Sequence, residues 1–164
     1  MAKKRFLKIK VAKTDAGKDR MHLEYENRNG SEWDQLSLNS GDKPAPSFHA
    51  ALQALAQDVV ELCELPLDYR ERLIVKSVSF SYGGEAQVMG ATITAQMALR
   101  KSNAPLLLNT PHKAKDFYAE TGDPKQLLDP ECVERLEALM IEADDFINGV
   151  RAQIDAFAGT GKAA

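Results

Sequence analysis

Two period-two runs on either side of a glycine pair constrain this chain most. Residues 72–113 read RLIVKSVSFSYGGEAQVMGATITAQMALRKSNAPLLLNTPHK. Apolar residues alternate along Ile74, Val78, Phe80 and Tyr82, with Lys76 the one interruption. They alternate again, without a miss, along Met89, Ala91, Ile93, Ala95, Met97 and Leu99, and Gly83-Gly84 lies between the runs. Alternation flanking a glycine pair predicts an antiparallel hairpin with one buried and one wet face.

The same period appears near the N-terminus. Leu7, Ile9 and Val11 alternate with Lys8 and Lys10, which predicts a strand over residues 6–13. Met21, Leu23 and Tyr25 predict a second over residues 20–27, and Asn29-Gly30 turns it into a third around residues 33–38. The pattern then changes to a helical one. Phe48, Leu52, Leu55, Val59 and Leu62 share a face of one helix, with Ser47 as its N-cap and Pro66 as its stop. Residues 106–108 suit a short strand, and residues 113–126 read as a surface loop. Asp129-Pro130 then opens a second helix. Its seam of Val133, Leu136, Met140, Ala143, Ile147, Val150 and Ile154 extends it to about Phe157. The order is βββαββ(β)α. It predicts an α+β domain: an antiparallel sheet of five to six strands packed by two helices, the C-terminal one long.

A chain of 164 residues suits one domain, read here as residues 1–158 with a disordered tail at 159–164. No apolar run reaches the roughly 20 residues of a membrane span. Lysines interrupt the basic N-terminus, so it has the form of neither a signal peptide nor an anchor. Cys63 and Cys132 lie far apart among apolar residues, as reduced core thiols of a cytoplasmic protein would.

Catalytic signatures are missing. His22, His49 and His112 each stand alone, without the spacing of a metal site, and no nucleophile elbow or phosphate loop precedes a helix. Neither a cofactor nor a metal is expected, and the adjacent acids Asp144-Asp145 read as a solvated helix face. The polar loop from Asn109 to His112 is the one place an unrecognised enzyme could draw on.

Charge is divided unevenly. The net charge is −3, yet residues 1–20 are strongly basic and residues 129–155 strongly acidic. Such division suits a polyanion-binding face opposed to a partner-binding one, and equally two solvated faces of opposite sign. Lys8, Lys10 and Arg20 point outward from the first two strands. Arg100, Lys101, Asn103, Asn109, Lys113 and Lys115 follow the hairpin. If helices cover one sheet face, these side chains can converge on the other and meet a phosphate backbone. The bland alternative is a solvated outer face whose lysines protect a sheet edge.

Ile93-Thr94-Ala95, Asn103-Ala104-Pro105-Leu106 and Asn109-Thr110-Pro111 together resemble a segment of a group of uncharacterised phage and prophage proteins. The resemblance extends over roughly residues 48–112. It implies a small phage-encoded protein of the host cytoplasm, and it carries no catalytic residue with it.

These readings lead to a non-enzymatic phage-type binding protein, associated with single- or double-stranded nucleic acid through a basic sheet face. A homo-oligomer is expected through Met140, Ile147, Val150 and Ile154 of the C-terminal helix. The alternative is a protein–protein module, such as an inhibitor of a host enzyme, docking through Glu134, Glu137, Asp144 and Asp145.

Overall fold

The computed structural model describes residues 3–13, 17–117 and 122–152. Among the described residues, seven strands form one antiparallel sheet. They are β1 (Lys4–Lys13), β2 (Asp19–Asn29), β3 (Glu32–Ser40), β4 (Leu73–Gly83), β5 (Val88–Met97), β6 (Leu106–Asn109) and β7 (Lys113–Ala114). Their order across the sheet is β3-β2-β1-β4-β5-β6, with β7 also pairing β5. Two meanders are thus sewn together at β1 and β4. Three helices, α1 (Pro46–Gln53), α2 (Ala56–Leu62) and α3 (Pro130–Ile147), cover one face. Beneath them Ile9, Leu23, Val78 and Ile93 are at most 1% exposed. The α+β class and the element order are as the periodicity predicts.

Two β-bulges change which residues point inward. The β1–β2 register shifts between Phe6 and Lys8, so Leu7 is the extra residue and Phe6 enters the core. The β4–β5 register shifts between Val75 and Ser77, so Lys76 is the extra residue there. The phase of β4 reverses across it: Leu73 and Val75 are buried before the bulge, Val78 and Phe80 after it. Ile74, expected inside, is 56% exposed. One inserted residue turns every earlier side chain to the opposite face.

The helices also depart from the simple reading. The first is divided, because Leu55 N–H bonds Leu52 O rather than the carbonyl four residues back, and the axis breaks between α1 and α2. Its N-cap is Ala45, and Ser47 instead donates its hydroxyl to Glu142 on α3. The last helix stops at Ile147, ten residues short of the expected Phe157. Gly149 takes φ of +102°, its N–H bonds Phe146 O, and Val150 N–H bonds Asp145 O. That pair of bonds is a Schellman stop, which satisfies the last carbonyls and suits glycine. At 18 residues α3 is roughly 27 Å long and lies across its own sheet.

Its seam packs into the molecule's own core. Val133, Leu136, Leu139, Ala143 and Phe146 are buried, and Met140 and Ile147 are partly buried against them. Val150 sits past the helix end and is 46% exposed, and Ile154 lies outside the described residues. A buried ion pair fixes α3 against α2. Asp58 is 2% exposed and accepts two hydrogen bonds of 2.7 Å from Arg135 Nε and Nη2. This bidentate fork satisfies both carboxylate oxygens.

Cys63 and Cys132 are both free thiols, the first partly exposed and the second buried. Burial, aided by the Asp58 carboxylate, pushes the Cys132 thiol up to about 12. Since the thiolate is the reactive form, native protein is expected to resist iodoacetamide at Cys132 until denaturant is added. Modification of Cys132 in native protein as fast as in the unfolded chain would contradict this packing.

Candidate nucleic-acid interface

The sheet face opposite the helices carries the polar positions of the central strands, and no described helix lies over it. On β1 these are Lys8 and Lys10; on β4 they are Ser77, Ser79 and Ser81; on β5 they are Thr92 and Thr94. Register sets them in rows. Lys8 faces Ser79 and Lys10 faces Ser77 across β1–β4. Ser77 faces Thr94, Ser79 faces Thr92 and Ser81 faces Gly90 across β4–β5. The result is a ladder of small hydroxyl side chains flanked by lysines, within which Ser77 is only 6% exposed. Thr94 donates to Asn109 Oδ1 at 2.6 Å. The hydroxyls of Ser77, Ser79 and Thr92 have no side-chain partner among the described residues.

The bulge adds a cation that alternation hides. Lys76 joins Lys10 at one end of this face; Lys13 and Asp19, in phase with buried Val11 and Met21, stand at its edge and act on Lys76 from there. Burial holds the Lys76 ammonium below the usual lysine range; Asp19 opposes that shift, while Lys13 and Lys10 add to it. Asp19 bonds Lys13 at 3.2 Å, leaving Lys10 and Lys76 without a carboxylate partner among the described residues. Arg20, exposed on β2 opposite Ala12, stands at the same end. The sign that pointed to this cluster was Lys76 itself, a lone charge breaking an apolar alternation.

Other residues of the expected set part company with it. Arg100, Lys101 and Asn103 are exposed in the loop after β5, beyond the sheet end that carries Lys10 and Lys76. Arg100 and Lys101 line a separate cleft of about 550 Å³ with Tyr69 and Arg72. Lys113 opposes Ala91, a core position, and Lys115 bonds Glu137 of α3 at 3.2 Å. These two lysines belong to the helix side of the sheet. Glu24, opposite Lys8, puts a negative charge in the middle of the outer face, where it bonds His22 at 2.7 Å. The basic character of the outer face is therefore concentrated at the end holding Lys10, Lys76 and Arg20.

The acidic face of α3 expected for docking is also reduced. Glu137 is tied to Lys115, and Asp144 to Lys4 at 2.5 Å. Glu134 and Asp145 remain of the four. At the other end of the outer face, Ser81 Oγ and His112 Nε2 lie 2.7 Å apart, both residues exposed. Gly90 makes this contact feasible, since a Cβ there would lie 2.4 Å from His112 Nε2. No acid orients the second ring nitrogen among the described residues, so the pair holds the loop on the sheet and lacks the third member of a catalytic triad.

Removing Lys76 tests the crowding. Lys76→Met is expected to leave the fold at least as stable as the wild type near neutral pH, because a partly desolvated cation among like charges is lost. The pH dependence has a definite sign. The folded pKa lies below the ordinary 10.5, so the unfolded chain binds more protons in that window. Wild-type stability should gain a rising contribution as pH climbs towards 10.5, and Lys76→Met should lack it. Urea titrations at several pH values give both quantities, and a destabilised variant would deny the crowding.

No helix among the described residues is long and apolar enough to cross a membrane. Comparison with protein-family models, with curated proteins and with solved structures found no match, so the functional reading rests on this geometry.

Proposed function

We propose that this is a non-enzymatic binding protein of phage or prophage type that contacts the phosphate backbone of nucleic acid through its outer sheet face. One observation carries the reading: Lys8, Lys10 and the bulged Lys76 stand beside a ladder of serine and threonine hydroxyls on β4 and β5. Cations neutralise phosphates and release counterions, and hydroxyls donate to phosphate oxygens without reading sequence. Among the described residues, no aromatic side chain that could stack bases lies at the centre of this face. Backbone contact without sequence readout follows, as in an accessory factor of replication or recombination.

Fluorescence anisotropy with labelled single- and double-stranded oligonucleotides tests it. Micromolar binding is expected near 50 mM salt, falling with a log–log slope of about −3 for three to four phosphates contacted on duplex. Lys10→Glu with Lys76→Glu should weaken binding by at least about tenfold, whereas Lys115→Glu should change it little. No binding at low salt, or equal loss from all three substitutions, would defeat the proposal.

The protein–protein alternative stands behind it. On that reading Glu134 and Asp145, with the 62% exposed Ile141 between them, form the docking strip. Retention of a specific host enzyme by the wild type, lost in Glu134→Lys, would favour it. Self-association through α3 would draw on the same strip, because the apolar seam faces inward. A single-chain mass by light scattering would remove it.

A further inference from the structure

A second concave surface lies on the helix side of the molecule, away from the basic end of the outer face. β1 and β4 pair at only three positions, Lys8–Lys10 with Ser77–Ser79. Past Lys8 the two strands separate, and Tyr82 fills the gap by donating its hydroxyl to Phe6 O at 2.7 Å. The C-terminal half of α3 runs beside this opening. A groove of about 930 Å³ results, with Phe6, Tyr82, Met89, Met140 and Ile141 as its apolar body. Ile141 is 62% exposed at the lip.

The groove is amphipathic along its length. Two ion pairs tie the sheet to α3 across it, Lys115 with Glu137 and Lys4 with Asp144. Their helix residues are seven apart, so the apolar stretch between them is roughly 10 Å long. At the Lys4 end the lining turns polar and positive, with Lys3, Arg28, Asn27 and Asn148. Lys3 and Arg28 pair with no carboxylate among the described residues. Arg28 gives its Nε to Gly30 O and rests on the Trp33 ring, and its terminal nitrogens have no hydrogen-bond partner among the described residues.

We propose that this groove binds a single-chain anionic amphiphile of the medium-chain fatty carboxylate class. Its chain lies between the two ion pairs, and its carboxylate meets Lys3 and Arg28. Charge complementarity sets the direction, and an apolar pocket with a few convergent polar groups is the usual form of a small-ligand site. The crossing ion pairs argue against a helical partner, since a helix with side chains is about 10–12 Å across and would fill the full distance between them.

Methyl-resolved NMR of the full chain, titrated with sodium decanoate, tests the proposal. Saturable shifts are expected at Met89, Met140 and Ile141, with a change in Trp33 fluorescence beside Arg28. Octanoate should bind about tenfold more weakly for its two missing methylenes. Decanol should bind more weakly than decanoate, and Lys3→Glu with Arg28→Glu should erase that preference. Ile141→Asp, at an exposed position that leaves the fold intact, should reduce decanoate binding by at least about tenfold. The Lys10→Glu, Lys76→Glu variant should bind decanoate like the wild type, which separates this site from the proposed nucleic-acid face. No saturable shift, no dependence on chain length, or binding of an acidic amphipathic peptide in place of decanoate would overturn it.

Discussion

Replacing Arg135 with methionine is expected to destabilise the fold by about 3–5 kcal/mol. The substitution leaves Asp58, 2% exposed, without either of its hydrogen bonds. A carboxylate in that position must stay charged without a partner or take up a proton, and both are costly. Arg135 is different, because its side chain is 25% exposed and can regain water when Asp58 is removed. Asp58→Ala should therefore cost less than Arg135→Met. Pairing Arg135→Met with Asp58→Leu should recover much of the loss, as buried ion pairs replaced by apolar residues often do. Urea unfolding of the three variants measures the order. Equal costs for the two single substitutions would show that Asp58 is better hydrated than its burial implies.

Leu136→Ala is expected to cost about 2–5 kcal/mol, because a side chain with no exposed surface is cut back inside a packed layer. Ile141→Ala, five residues along the same helix, should stay within about 0.5 kcal/mol. The contrast tests which face of α3 the sheet occupies. It also bears on self-association. If Ile141→Ala destabilised the protein in a concentration-dependent way, a second copy would have to cover that residue. Ile147→Asp, which a helix seam between copies would make a dissociating variant, should instead weaken the fold, since Ile147 packs against its own core.

Much of the architecture was legible because strand and helix periods differ so sharply. The β5 run of Met89, Ala91, Ile93, Ala95 and Met97 is buried at every second residue, as its alternation predicts. Asp129-Pro130 marks the start of α3 correctly. The end of α3 was misplaced: Asn148-Gly149 carries the stop signal, but the unbroken apolar spacing of Val150 and Ile154 masks it. Apolar spacing reports a face only while the backbone continues, and a left-handed glycine ends the continuation.

The site was legible in part. Lys8, Lys10 and Arg20 lie on the outer face, as strand alternation requires. Lys113 and Lys115 could not be assigned, because β7 is two residues long and a strand that short carries no alternation to read. Lys76 was visible as an interruption, but its meaning depended on a register shift.

By itself the amino-acid order determined the element types, the hairpins and the α+β class, since these depend on local periods and turn residues. Tertiary structure decided the two bulges, the Asp58–Arg135 fork between positions 77 residues apart, and which lysines share a face. The reason is physical: a period of two specifies two opposite faces, but only pairing with a neighbouring strand decides where one extra residue exchanges them.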